Sequence, residues 1–111
     1  MEAYQTSAVF QKCIESFYYL SLNRKNRREI VSSGVHHHFP KLFSIGDPTT
    51  CAYCLLMIGN LLQVDLYHDK VGQRDDIILL ILHMLNPEHS KQFIAAAYCL
   101  CQLAQLHISA E

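Results

Sequence analysis

The sequence predicts an all-α protein, and three observations carry that reading. Only four glycines and three prolines interrupt 111 residues, and the stretches between them have helical length. Within them apolar residues recur at intervals of three and four rather than two, the period of one face of an α-helix. One long helical pattern then returns along the chain at near-constant spacing, which points to a helical repeat. Half of the residues are hydrophobic. A chain of this length and composition supports one core and one domain, residues 1–111.

The first predicted helix runs from about Thr6 to Leu22, because Phe10, Cys13, Ile14, Phe17 and Leu20 form one stripe. A polar, basic run, Asn23 to Arg28, breaks it. A short helix over Arg27–Ser33 follows and stops at Gly34, the residue best able to adopt the left-handed conformation that closes a helix. Another begins near Pro40, where the proline is expected to delay or kink it, and stops at Gly46. In Gly46-Asp47-Pro48-Thr49-Thr50 the aspartate can accept from free amides of the next helix, and Pro48 suits its first turn. That helix carries Cys51, Cys54, Leu55, Ile58, Leu61 and Leu62 on one stripe and is expected to end near Asp65. Residues 66–74 read as a connection. Asp75 and Asp76 sit where acids favour a helix start, ahead of Ile77 to Leu85. Asn86-Pro87 ends that helix, and the last, Lys91 to about His107, places Phe93, Ala96, Ala97, Leu100, Leu103 and Ala104 on one face.

The stripe Phe10, Cys13, Ile14, Phe17, Leu20 superposes on Cys51, Cys54, Leu55, Ile58, Leu61, and again on Phe93, Ala96, Ala97, Leu100, Leu103. The offset of about 41 residues lies within the period of HEAT and armadillo arrays. The stretch Asn26-Arg-Arg-Glu-Ile30-Val31-Ser-Ser-Gly34, with Val35, Phe39, Lys41, Leu42 and Phe43, then Gly46-Asp47-Pro48 and Ile58-Gly59-Asn60-Leu61, resembles an armadillo repeat through all three of its helices. The likeness implies an armadillo-like right-handed α-solenoid segment. It divides the chain into the third helix of a partial repeat (6–22), a complete repeat (24–65) and a degenerate last repeat (74–107). His36-His37-His38 and Pro40 depart from the family pattern, as does the segment after Asp65.

The resemblance implies a non-catalytic protein-interaction or scaffold module. In such solenoids the third helices line one continuous surface that reads an extended peptide or a partner helix. Asn60 matches the family's third-helix asparagine, whose carboxamide offers a donor and an acceptor to a peptide backbone. The alternative role for Asn60 is a helix-end residue whose amide satisfies a neighbouring carbonyl. Gln102 and Tyr19 hold the equivalent positions in the flanking helices. Where nuclear-signal receptors of the family carry tryptophan, one turn earlier, this chain has Leu56. With no tryptophan anywhere, recognition of basic signals is not expected, and a groove for apolar or mixed peptides is.

Five cysteines and seven histidines raise a second reading, a small zinc- or thiol-dependent protein built on Cys51 and Cys54. No second ligand pair stands at finger spacing, and both cysteines lie on the apolar stripe. Cys51-Ala52-Tyr53-Cys54 also resembles the redox motif of glutaredoxin-like proteins, at a helix start that lowers a thiol's pKa, but that chemistry needs a preceding strand. Three successive histidines on a helix cannot all face one ion. Arg24, Lys25, Arg27 and Arg28 read as a solvated inter-repeat loop that could meet an acidic partner. No nucleophile elbow, phosphate loop or paired-carboxylate site is present, so no enzyme and no cofactor are expected.

With charged residues at 17% and a formal net charge of −1, nucleic acid is not an expected partner. The longest apolar run, Cys51–Ile58, is far short of the roughly 18 residues of a membrane span, so no membrane insertion is expected. MEAYQTS lacks the basic flank and apolar stretch of a secretory signal. The expected setting is cytoplasmic, with reduced cysteines. The partner is a protein or peptide. Ile94, Tyr98 and Cys101, predicted on the exposed face of the last helix, suggest a homo-dimer or part of a longer repeat array.

Overall fold

A computed structural model describes residues 2–45, 47–64 and 75–110. Six α-helices appear among them: α1 (Glu2–Ser21), α2 (Arg24–Ser32), α3 (Phe39–Ile45), α4 (Pro48–Leu61), α5 (Asp75–His83) and α6 (Ser90–Ala110), with a 3₁₀ turn at Val35–His38. The described residues contain no strand. The chain is all-α, as its periodicity predicts. The expected boundary at Gly46 and the connection 66–74 lie outside the described residues, whereas α4 ends at Leu61 with Leu62 as its cap, short of the end expected near Asp65.

The local chemistry accounts for the ends. Asn23 Oδ1 accepts from the Lys25 amide at 3.0 Å and so opens α2 earlier than expected, at Arg24 rather than Arg27. Gly34 closes that helix with φ +80°, a conformation costly for any residue with a Cβ. Asp47 Oδ1 accepts from the Thr50 amide at 2.8 Å, and Pro48 occupies the first position of α4, where a missing amide hydrogen costs nothing. The 3₁₀ turn precedes α3, so Pro40 falls in that helix's first turn and interrupts no hydrogen bond.

The three long helices lie side by side with α4 in the middle, packed against α1 on one flank and α6 on the other. Helices α2 and α3 also touch α4, while α5 bridges α3 and α6. The core gathers around α4, whose Leu55, Met57, Ile58 and Leu61 are wholly buried with Val31, Phe39 and Ile81. All six stripe residues predicted for α4 are buried. On α1 the stripe is only half used: Ile14 is buried and Phe10 and Phe17 partly so, whereas Cys13 and Leu20 are exposed.

The last helix departs from its predicted face. Gln92, Ala95, Ala96, Cys99 and Leu103 point inward, while Phe93 and Ala104 are exposed. Tyr98, expected on the exposed face, is partly buried against α4; Ile94 and Cys101 are exposed as expected. The small side chains of Ala95, Ala96 and Cys99 allow α6 to approach α4 closely, which a helix turned to bury Phe93 could not do.

Candidate functional site

Asn60 was the leading candidate for a groove residue, and the structure places it inside a polar chain between helices. Its side-chain amide donates to Ser21 Oγ at 3.1 Å, and its Oδ1 accepts from the Tyr98 hydroxyl at 2.7 Å. Ser21 Oγ in turn donates to the Tyr18 carbonyl at 2.6 Å. Asn60 is buried, so its carboxamide ties α1 to α6 across α4. Asn60 thus serves the fold, as in the alternative role, but its partners are the Ser21 and Tyr98 hydroxyls rather than the expected carbonyl. The neighbouring residue explains the fit: a Cβ on Gly59 would collide with the Cδ2 and Cε2 atoms of the Tyr98 ring. Gly59 seats the ring and Asn60 takes its hydroxyl. Burial raises the Tyr98 hydroxyl's pKa, and the Arg27 charge opposes the rise.

Arg27, read from sequence as a solvated loop cation, is buried instead. Its Nε donates to the Ser21 carbonyl at 2.6 Å and a terminal nitrogen donates to Gln63 Oε1 at 2.7 Å. The guanidinium thus satisfies a carbonyl at the end of α1, one of the four that every helix leaves open. Residue type alone does not separate it from exposed Arg24, Lys25 and Arg28. Its helical spacing from Ile30 and Val31, three and four residues on, was the available signal.

Tyr19 and Leu56 come together on one surface. Tyr19 is 56% exposed; its ring lies 5.2 Å from that of Tyr18 and 6.4 Å from that of Tyr53. The Tyr53 ring lies 5.4 Å from that of Tyr18, tilted by 47°, and the adjoining Tyr19 hydroxyl raises its pKa. Tyr53 and Leu56 then form one wall of a groove of about 300 Å³, with Ile94 and Ala95 of α6 on the other and Thr49, Ala52 and Lys91 at its margins. Aromatic and apolar surface therefore runs from α1 over α4 to α6. Gln102 is partly exposed, two turns beyond Ile94 on α6. Sequence reasoning picked Tyr19 and Leu56 but missed Tyr53 and Ile94 as groove residues, although Tyr53 stands one turn before Leu56.

Cys51 and Cys54 are buried, and the Cys51 thiol points to the Phe43 carbonyl at 3.8 Å. Burial pushes Cys51 up to about 11 and Cys99 to about 12, and raises Cys54 well above the usual thiol range. That is opposite to the lowering expected from a helix start, because loss of solvent outweighs the dipole. Among the described residues no three His, Cys, Asp or Glu side chains gather closely enough to hold a metal ion. No helix among them is long and apolar enough to cross a membrane. Comparison with protein-family models, with curated proteins and with solved structures finds no significant match to this chain.

Proposed function

We infer that this chain is a non-catalytic protein-interaction module, an armadillo-like solenoid segment that binds an extended peptide across α1, α4 and α6. The observation that carries the reading is the continuous surface from Tyr19 through Tyr53 and Leu56 to Ile94, beside three long helices laid in a row. Neighbouring helix axes stand about 8–10 Å apart, and an extended chain rises about 3.3 Å per residue. Equivalent positions on successive helices therefore meet peptide residues roughly three apart. The groove between α4 and α6 suits one large apolar side chain, and Lys91 at its margin favours an acidic neighbour. Since Asn60 is engaged within the fold, recognition rests on Tyr19, Tyr53, Leu56 and Ile94, with Gln102 available at the far end. The buried thiols of Cys51 and Cys54 lend no support to zinc or thiol chemistry.

The test is selection of short random peptides on the intact chain, followed by binding to Leu56→Glu and Ile94→Glu variants of unchanged helicity. Enriched peptides should carry an apolar anchor near an acid and lose at least tenfold in affinity for either variant. Failure to enrich any sequence, or equal binding by all three proteins, overturns the reading.

A further inference from the structure

We propose that Tyr18, Tyr19, Tyr53 and Glu15 form a binding site for a quaternary ammonium group, the head of a trimethylated lysine or of choline. The ring centroids of Tyr18 and Tyr19 on α1 and Tyr53 on α4 stand 5.2, 5.4 and 6.4 Å apart, and the pairs are tilted by 52°, 47° and 49°. Three planes inclined so equally have normals about 30° from one common axis, so the rings turn a face to the same side instead of stacking or meeting at right angles. A cation about 3 Å off the plane of the three centroids would lie about 4.5 Å from each, inside the roughly 6 Å reach of a cation–π contact. Tyr19 is exposed and Tyr18 and Tyr53 are half-buried, so the cluster stands at the surface.

Charge decides what such a cluster takes. Glu15 precedes Tyr18 and Tyr19 by one helical turn. The Tyr53 hydroxyl is pushed up first by Tyr19 and, less, by burial and by the Glu15 charge, which places that carboxylate beside the rings. The Glu15 side chain is only 24% exposed, and its ion pair with Lys12 is 3.8 Å long to a side chain that is 81% exposed, a contact worth little. A half-buried carboxylate beside three π faces suits a cation. The hydroxyls narrow its kind: those of Tyr19 and Tyr53 are hydrogen-bonded to each other, which leaves Glu15 as the main acceptor. A lysine ammonium brings three N–H donors and a guanidinium five, and each must leave water for a partner. A quaternary ammonium brings none, so ring faces and one carboxylate are enough for it. The site shares Tyr19 and Tyr53 with the peptide surface proposed above but does not depend on it.

The experiment is a nuclear magnetic resonance titration of the intact chain that follows the tyrosine ring protons. The probes are choline, its uncharged tert-butyl isostere, capped trimethyl-lysine and capped lysine. Choline and trimethyl-lysine should shift the rings saturably, and the tighter of the two identifies a small molecule or a protein side chain as the source of the group. The uncharged isostere and unmodified lysine should bind at least tenfold more weakly. Tyr19→Leu should lose at least tenfold in affinity for both methylated probes and Tyr19→Phe less than about twofold, because the ring makes the contact; Tyr19 is exposed, so neither change disturbs the core. Glu15→Gln should weaken binding severalfold, a difference that shrinks as salt is raised. The absence of a saturable shift, equal binding of choline and its uncharged isostere, or a Tyr19→Leu variant that binds as the wild type does overturns the proposal. Ile94→Glu, which removes peptide binding in the reading above, should bind the small probes as the wild type does, so the two ideas fail separately.

Discussion

Leu20, Leu61 and Leu103 occupy equivalent places in three copies of one helical pattern, yet their surroundings differ. Leu61 on α4 is wholly buried and Leu103 nearly so, whereas Leu20 on α1 is 51% exposed. The same holds for Cys13, which is exposed, against Cys54 and Ala96, which are not. Helix α4 has neighbours on both flanks and beneath; α1 has α4 on one side and an open groove toward Val35 and Leu42 on another. An apolar stripe thus states what a helix could bury, and the neighbours that each position meets decide how much it does bury.

The strongest way to break this comparison is truncation at the equivalent leucines. Leu61→Ala should cost about 2–5 kcal/mol in urea unfolding, and Leu20→Ala less than about 0.5 kcal/mol. Similar losses would show that those neighbours do not govern the energetics. The polar chain between the long helices should come next. Asn60→Ala leaves the Tyr98 hydroxyl and Ser21 without their partner and should cost about 1–3 kcal/mol. A cycle with Tyr98→Phe should show non-additivity of about 0.5 kcal/mol or more, as for residues in direct contact; strict additivity would dissolve the proposed tie.

Gly59 sharpens the same point through a change of sign. Gly59→Ala should destabilise the protein by dislodging the Tyr98 ring, by about 1 kcal/mol after the alanine's helix propensity is set against it. In a Tyr98→Ala background the collision is gone, and the same substitution should stabilise by up to about 1 kcal/mol. A destabilising effect in both backgrounds would remove Tyr98 as the cause.

The thiols separate core from flank with the smallest energetic effect. Cys13 and Cys101 should react with a disulfide reagent in the native state, and Cys51, Cys54 and Cys99 only after unfolding. Their folded pKa values are raised, so the folded state holds protons that the unfolded state releases above the ordinary thiol value near 9. Stability from these groups is complete below that pH and falls as pH rises toward 11 to 12. A thermal melting temperature flat from pH 8 to 10 would contradict it.

Much of the architecture was legible because its signals are local. Asp47-Pro48 opens α4, Gly34 closes α2, and the α4 stripe is buried as read, each set by backbone geometry or by period. The face of α6 was not legible, since Phe93 outranks Ala95 and Cys99 in hydropathy and only contact with α4 rewards the smaller side chains. Arg27 stayed hidden among exposed cations for the same reason: its acceptors are the Ser21 carbonyl and Gln63, the latter far along the chain.

By itself the sequence determined that the described residues are helical, the start of α4 at Asp47-Pro48 and the close of α2 at Gly34, and that one pattern repeats, because capping, left-handed turns and a 3.6-residue period act within a few residues. Tertiary structure alone decided which flank of each helix is covered, that Asn60 joins Ser21 to Tyr98, and that Tyr19, Tyr53, Leu56 and Ile94 share one surface. Those outcomes depend on how closely two helices can approach, and that distance is set by side chains from separate parts of the chain, Gly59 on one helix and Ala95, Ala96, Tyr98 and Cys99 on the other.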